Sequence, residues 1–208
     1  MDSDTIHAKI IDFDNADDLN ICMATETDID GIIKVASSVG NSKKNHKQGF
    51  LMDNYLRDKE KYVSKFKNDI DNSKLFYVIK KRDHVLGFLL AYTKDQWLKS
   101  EPKWIFDTNW KDDFNKKALK KFVILEKIAV RSGLTGRGLG SELFKKFKEK
   151  SLNLGIKNMF SETILSPKPN FASMEFAMKQ RYKLAGIRYE NFEDKLFTTI
   201  VYHKKLSK

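Results

Sequence analysis

Apolar residues along this chain recur with two periods, and the changes of period mark out its elements. Leu19 to Thr25 is extended and largely apolar and reads as a strand. Ile29, Ile32, Ile33, Ala36 and Val39 then recur at helical spacing, with Thr27 or Asp28 placed to cap the helix and Gly40 to end it. Asn41 to Gln48 is a polar, lysine-rich loop. Gly49-Phe50-Leu51-Met52 leads into a second helix, expected over Asp53 to Ile70 and carrying Tyr55, Leu56, Tyr62, Val63 and Phe66. Leu75 to Lys80 and His84 to Thr93 flank the short Lys81-Arg82-Asp83 turn, which predicts a hairpin.

Phe122 to Val130, Phe-Val-Ile-Leu-Glu-Lys-Ile-Ala-Val, reads as a buried strand. Leu143, Phe144, Phe147 and Leu154, with lysines between them, give the apolar face of a helix. Lys157 to Thr163 follows as a strand, and Ser166-Pro167-Lys168-Pro169 breaks the pattern. Asn170 to Gln180 is expected as a helix with Phe171, Met174, Ala177 and Met178 inward. Leu184 to Asn191 and Lys195 to Lys204 form a closing hairpin across Phe192-Glu193-Asp194. Residues 1–18 mix Ile6, Ile10, Ile11 and Phe13 with acids and read as an arm or an extra strand. Lys94 to Lys117 is a long connection holding Trp97, Trp104 and Trp110 with Phe106 and Phe114. It is either a loop folded onto the core by its aromatics or a wall of a substrate pocket.

Between the central strand and its helix lie Gly133, Gly136, Gly138 and Gly140. A strand running through a glycine loop into a helix suits a phosphate, because the backbone can approach closely and the first helical N–H groups lack partners. The nucleotide-triphosphate loop does not fit: Gly133 and Gly138 have its spacing, but Leu139 and Gly140 stand where it needs Lys and Ser/Thr. The dinucleotide fingerprint is a near miss at Gly136-x-Gly138-x-x-Ser141, with no acid evident at the end of a following strand. A third pattern, Gln/Arg-x-x-Gly-x-Gly/Ala, fits Thr135-Gly136-Arg137-Gly138-Leu139-Gly140 everywhere but its first position.

Val130 to Leu143 resembles the acetyl-CoA signature of the GNAT acetyltransferase superfamily, usually read as V-x-P-x-x-R-G-x-G-(I/L)-G-x-x-L. Gly136, Gly138, Gly140 and Leu143 match, while Ser132 and Thr135 replace the usual proline and arginine or glutamine. The order of elements over residues 19–204 is similar to the family's, including the Gly87-Phe88 pair. The resemblance implies an α/β (α+β) single-domain GNAT-like fold over residues 1–208, with a mixed, mostly antiparallel sheet of about seven strands flanked by about four helices. It implies acetyl-CoA as cosubstrate, its pyrophosphate on the backbone from Thr135 and Gly136 through Arg137, Gly138, Leu139 and Gly140 to Ser141. The strand edge at Ile128, Ala129 and Val130 would pair with the pantetheine amides, and Asn170 and Ser173 fall on the family's last helix motif. Ala177 stands where a tyrosine often acts as general acid, and Arg181 where glycine is usual; Tyr182, Tyr189, Tyr202 or water remain open as the acid.

Composition narrows the class. At 208 residues with 41% hydrophobic residues and 15 Phe, the chain is expected to be one globular domain. The single Cys22 excludes an internal disulfide, fits a reducing cytoplasm, and reads as a small core residue. His7, His46, His84 and His203 show no metal spacing, so no metal is expected. Nothing resembles a signal peptide or membrane span. The net charge of +11 suits a polyanionic cosubstrate or nucleic acid, but the lysines form no dense run, so nucleic acid is not the favoured partner.

Acetyl transfer to an amine requires removing a proton from a group with a pKa of about 10.4. Glu126, a carboxylate within an apolar strand, is the candidate general base, placed by simple alternation on the face of Ile128 and Val130. Its bland alternative is an ion pair with a nearby lysine, or exposure at the start of the strand. The expected function is N-acetyl transfer from acetyl-CoA to a primary amine of a small molecule, peptide or protein, with a non-catalytic CoA-binding sensor or a basic nucleic-acid-associated protein as the alternative. The acceptor and the oligomeric state, including a homodimer, stay open.

Overall fold

A computed structural model of the chain describes residues 19–39, 49–192 and 194–207. The expectations for the arm at 1–18, the stop at Gly40, the loop Asn41 to Gln48 and turn residue Glu193 lie outside the described residues. Among the described residues eight strands form one sheet: β1 (Leu19–Met23), β2 (Phe76–Lys81), β3 (His84–Thr93), β4 (Asn109–Trp110), β5 (Val123–Val130), β6 (Asn158–Ser166), β7 (Lys183–Phe192) and β8 (Lys195–Lys205). Their order is β1-β2-β3-β5-β6-β8-β7-β4. Neighbours are antiparallel except at the centre, where β5 and β6 run parallel.

Among the described residues six α-helices cover the sheet: α1 (Ile29–Ser38), α2 (Lys59–Asn72), α3 (Lys94–Ser100), α4 (Trp104–Asp107), α5 (Leu139–Asn153) and α6 (Phe171–Lys179). On one face, Leu143, Phe144 and Phe147 of α5 bury against Leu89, Ala91, Val123 and Leu125. On the other, α1 and α2 cover Phe76, Val78, Phe88 and Leu90. Each fully buried side chain of this size contributes roughly 1.5–3 kcal/mol. Gly87 has a spatial reason: a Cβ there would sit 2.9 Å from the Ala129 carbonyl oxygen.

The structure adjusts the sequence expectations at several points. Neither Thr27 nor Asp28 caps α1 by reaching forward. Thr25 opens a short 3-10 turn ahead of α1, and the Asp28 carboxylate accepts from the Thr25 N–H at 2.9 Å and from Lys80 Nζ at 2.9 Å. The second helix starts at Lys59 rather than Asp53, because Asp53 accepts from the Tyr55 hydroxyl at 2.9 Å and lies 3.4 Å from Lys127 Nζ. Side-chain bonds of this kind compete with a helical start. In α6 the inward residues are Ala177, Met174 and Phe176, whereas Phe171 and Met178 are exposed.

The stretch from Lys94 to Lys117 supplies the structure's additional elements, α3, α4 and β4. A capping box of Thr93 and Gln96 starts α3. Trp97 and Trp104 bury with Phe122, Ile124 and Phe160, with Trp110 and Phe114 against them. The three tryptophans and Phe114 therefore fold this stretch onto the core, while Phe106 is exposed.

Candidate functional site

Between the two central strands the sheet opens. β5 and β6 pair only at Val123↔Met159, Ile124↔Phe160 and Leu125↔Ser161. Beyond that point they diverge, while β5 stays paired to β3 through Val130. The edge of Ile128, Ala129 and Val130 is thus left facing a cleft of about 530 Å³. The cleft reaches from Glu126 and Glu162 at the fork to the glycine loop and the start of α5, with α6 along one side. An unpaired strand edge inside a cleft can take an extended chain with amide groups.

The glycine loop is shaped for an anion. Gly136 and Gly138 have φ of +86° and +81°, and open space surrounds the Cβ position of each. Glycine is required here by the backbone angle rather than by crowding. Gly138 is the residue before the first turn of α5, and its carbonyl accepts from the N–H groups of Ser141 and Glu142. Hence the Ser141 N–H is committed within the turn, and the N–H groups of Gly138, Leu139 and Gly140 are the ones left to a ligand. The loop residues Thr135, Gly136, Gly138, Leu139, Gly140 and Ser141 all line the cleft, whereas Arg137 is exposed and does not.

Asn170 and Ser173 line the cleft too, yet their side chains hold the frame together. Asn170 Oδ1 accepts from the Ser173 N–H at 3.2 Å, and its Nδ2 donates to the Phe50 carbonyl at 2.9 Å. The Ser173 and Thr163 hydroxyls lie 3.0 Å apart. Arg181, at the usual glycine, takes the left-handed conformation itself with φ 58°. Its neighbour Tyr182 closes the end of α6 by donating its N–H to the Ala177 carbonyl. Tyr182 lines the cleft, and among the described residues its buried hydroxyl has no hydrogen-bond partner in good geometry. Burial raises that phenol's pKa, with Ser161 as a polar neighbour pulling the other way.

Glu126 sits at a β-bulge. Leu90 pairs with Lys127 and Ala91 with Leu125, so Glu126 has no partner on β3. The extra residue breaks strict alternation. Ile128 and Val130 pack toward α5, whereas Glu126 turns toward Lys65 of α2 and Lys127 toward Asp53 just ahead of it. The expectation that Glu126 shares a face with Ile128 and Val130 is therefore corrected. Glu126 lies 2.6 Å from Lys127 Nζ and 3.8 Å from Lys65 Nζ. Burial would raise its pKa, but Lys127 and Lys65 outweigh it and hold the carboxylate ionised.

Glu162 on β6 escaped the sequence reading. Its Oε1 accepts from Trp104 Nε1 and Arg188 Nη1, each at 3.0 Å, and its Oε2 lies 3.3 Å from Arg188 Nη1. The signal used for Glu126, a carboxylate amid apolar strand residues, was equally present in Met159-Phe160-Ser161-Glu162.

Residues 45–181 match the Acetyltransferase (GNAT) family, and the chain belongs to that family. Its reaction class is acyl transfer with acetyl-CoA as cosubstrate. Among solved structures, the chain is similar to an N-acetyltransferase from Staphylococcus aureus Mu50, at TM-score 0.59 and 16% identity over 91% of this chain and 99% of that one. It is similar to the paia N-acetyltransferase from Thermoplasma acidophilum in complex with coenzyme A, at 0.59 and 15% over 90% and 99%. A third is yncA, a putative acetyltransferase from Salmonella typhimurium with acetyl-CoA, at 0.57 and 12% over 92% and 95%. These likenesses are of fold. No curated protein matches the chain in sequence. Among the described residues no group of three or more His, Cys, Asp or Glu could hold a metal ion, and no helix is long and apolar enough to cross a membrane.

Proposed function

We propose that this protein is an N-acetyltransferase that moves the acetyl group of acetyl-CoA directly to a primary amine of a small molecule, peptide or protein. The observation that carries this reading is the fork of β5 and β6 beyond Leu125 and Ser161, opening onto the glycine loop at the start of α5. The N–H groups of Gly138, Leu139 and Gly140 are suited to the pyrophosphate at the positive end of the helix. The edge of Ile128, Ala129 and Val130 is suited to the pantetheine amides, and one of its N–H groups to the tetrahedral oxygen. Such an arrangement leaves the thioester near Glu126 and Glu162.

Glu126 is the carboxylate set against the acceptor's ammonium. Its ion pairs fix it in the charged state, and its Oε2, without a hydrogen-bond partner in good geometry among the described residues, is left to face the ammonium at the fork. The amine, once neutral, attacks the thioester carbonyl carbon; collapse breaks the C–S bond and the thiolate takes a proton. Ala177 supplies no donor for that proton. The orphan hydroxyl of Tyr182 in the cleft wall supplies one, which the sequence could not select among the tyrosines.

Calorimetry with acetyl-CoA tests the reading. Binding in the micromolar range is expected, and ligand at 100 times its Kd should add about 2.7 kcal/mol of stability, seen as a raised Tm. No binding at high micromolar acetyl-CoA would end the proposal. Binding with no acetylation across an amine panel would leave the non-catalytic sensor in its place.

A further inference from the structure

We infer that the acceptor's proton leaves to Glu162 on β6, while Glu126 across the fork holds the ammonium in place. This inference rests on the acetyl-transfer reading above. β5 and β6 last pair at Leu125↔Ser161, so Glu126 and Glu162 are the next residues on the two diverging strands. Both line the cleft. Both turn to the same sheet face: Glu126 through its bulge toward Lys65 of α2, Glu162 toward Trp104 of α4. An amine arriving at the fork from that face meets one carboxylate on each side.

Their surroundings divide the work. Glu126 has two ammonium groups, Lys127 at 2.6 Å and Lys65 at 3.8 Å, and Lys127 also faces Asp53. A carboxylate supported in this way stays ionised and binds a proton weakly, and its Oε2, which has no hydrogen-bond partner in good geometry among the described residues, is the atom left to meet the ammonium. Glu162 has the reverse arrangement. One guanidinium, Arg188, serves three carboxylates: Glu162 at 3.0 Å, Glu190 at 3.1 Å and Glu101 at 3.6 Å. Among the described residues the other donor on Glu162 is the Trp104 indole, and it acts on Oε1. Oε2 keeps only the 3.3 Å contact to Arg188, so it has lone pairs left for an ammonium or a bridging water.

Burial pushes the Glu162 carboxyl up to about 7; Arg188 opposes the rise and Glu190 adds to it. Proton transfer from an ammonium is thereby easier by roughly a few hundredfold than to a carboxylate with an ordinary pKa of about 4.3. The balance is simple. R–NH3+ gives one proton to Glu162, and the freed lone pair attacks the carbonyl carbon. The nitrogen then loses a second proton as the thiolate gains one, and Glu162 returns its proton to solvent.

The test compares Glu162→Gln with Glu126→Gln, using thiol release from acetyl-CoA with tyramine, putrescine, L-lysine and a tetrapeptide with a free amino terminus. Rates are measured from pH 5.5 to 9. Glu162→Gln is expected to bind acetyl-CoA within twofold of wild type, to lose kcat about a hundredfold at pH 7, and to lose the acidic limb of the profile near pH 7. Glu126→Gln is expected to raise the acceptor KM about tenfold or more and keep that limb. An unchanged limb in Glu162→Gln, or its disappearance in Glu126→Gln, would overturn the assignment. Glu162→Asp covers a folding defect in the glutamine variant: a displaced limb supports the inference and an unmoved one refutes it. If wild type itself neither binds acetyl-CoA nor acetylates any probe, the failure lies with the acetyl-transfer reading.

Discussion

Tyr182 holds a hydroxyl in a place where folding alone would prefer none. The group is buried on the cleft wall and, among the described residues, has no hydrogen-bond partner in good geometry. A buried hydroxyl without a partner costs about 1–3 kcal/mol, so a phenylalanine should be tolerated or stabilising at this position. Tyr182→Phe is therefore expected to keep or raise the Tm while lowering kcat about tenfold to a hundredfold, a signature that denaturation and steady-state rates can separate. A lost Tm with unchanged kcat would make the residue purely structural. At this scale the sequence showed Glu126 because a carboxylate in an apolar strand is conspicuous. It did not show that Lys127, the next residue, would turn to the same face and pair with it, since that depends on a bulge. Glu162 carried the same signal, but its meaning rests on Arg188, 26 residues away in the chain, and on Trp104.

Among the elements, the stretch from α3 to β4 was the hardest to read. Its capping box and tryptophans could be seen, but not which surface they would meet. In the fold they cover Phe122, Ile124 and Phe160 on the face where Glu162 projects, and Trp104 joins the two roles by donating its indole N–H to that carboxylate. That bond holds the Glu162 pKa down. Trp104→Phe keeps most of the apolar contact and removes the donor, so it is expected to cost about 1–3 kcal/mol by denaturation. The acidic limb of the rate profile should move to higher pH. A limb that moves down, or stays, would separate Trp104 from the site. The boundaries of the strand, glycine loop and helix from β5 to α5 were legible, though not the bulge within β5, because each boundary is written locally: apolar run, glycines, then a lysine-separated apolar stripe.

For the molecule as a whole, two partly buried groups set opposite responses to acid. His203 is pushed down to about 4 by burial, with Lys205 adding to the shift. Between its unfolded value of about 6.5 and that figure, the unfolded chain takes a proton the folded one refuses, so stability falls as pH drops. Glu162, raised to about 7, works the other way: between about 4.3 and 7 the folded state binds the extra proton and gains stability as pH drops. The two windows overlap and offset each other in the intact protein. His203→Gln isolates one of them. Its stability deficit relative to wild type is expected to shrink by about 1–3 kcal/mol on going from pH 7 to 4.5. A constant gap by urea denaturation would show that His203 titrates normally.

The sequence by itself determined the strands and helices with strong periods, the glycine loop between β5 and α5, and through that loop the acetyltransferase family. All of these are local properties of the chain, set by side-chain period and backbone freedom. Only the tertiary structure decided which carboxylates stand at the fork, which tyrosine keeps a spare hydroxyl, and where the tryptophans lie. These depend on contacts between β5, β6, β7, α2 and α4, segments distant in the chain whose charges and faces acquire meaning only when the sheet brings them together.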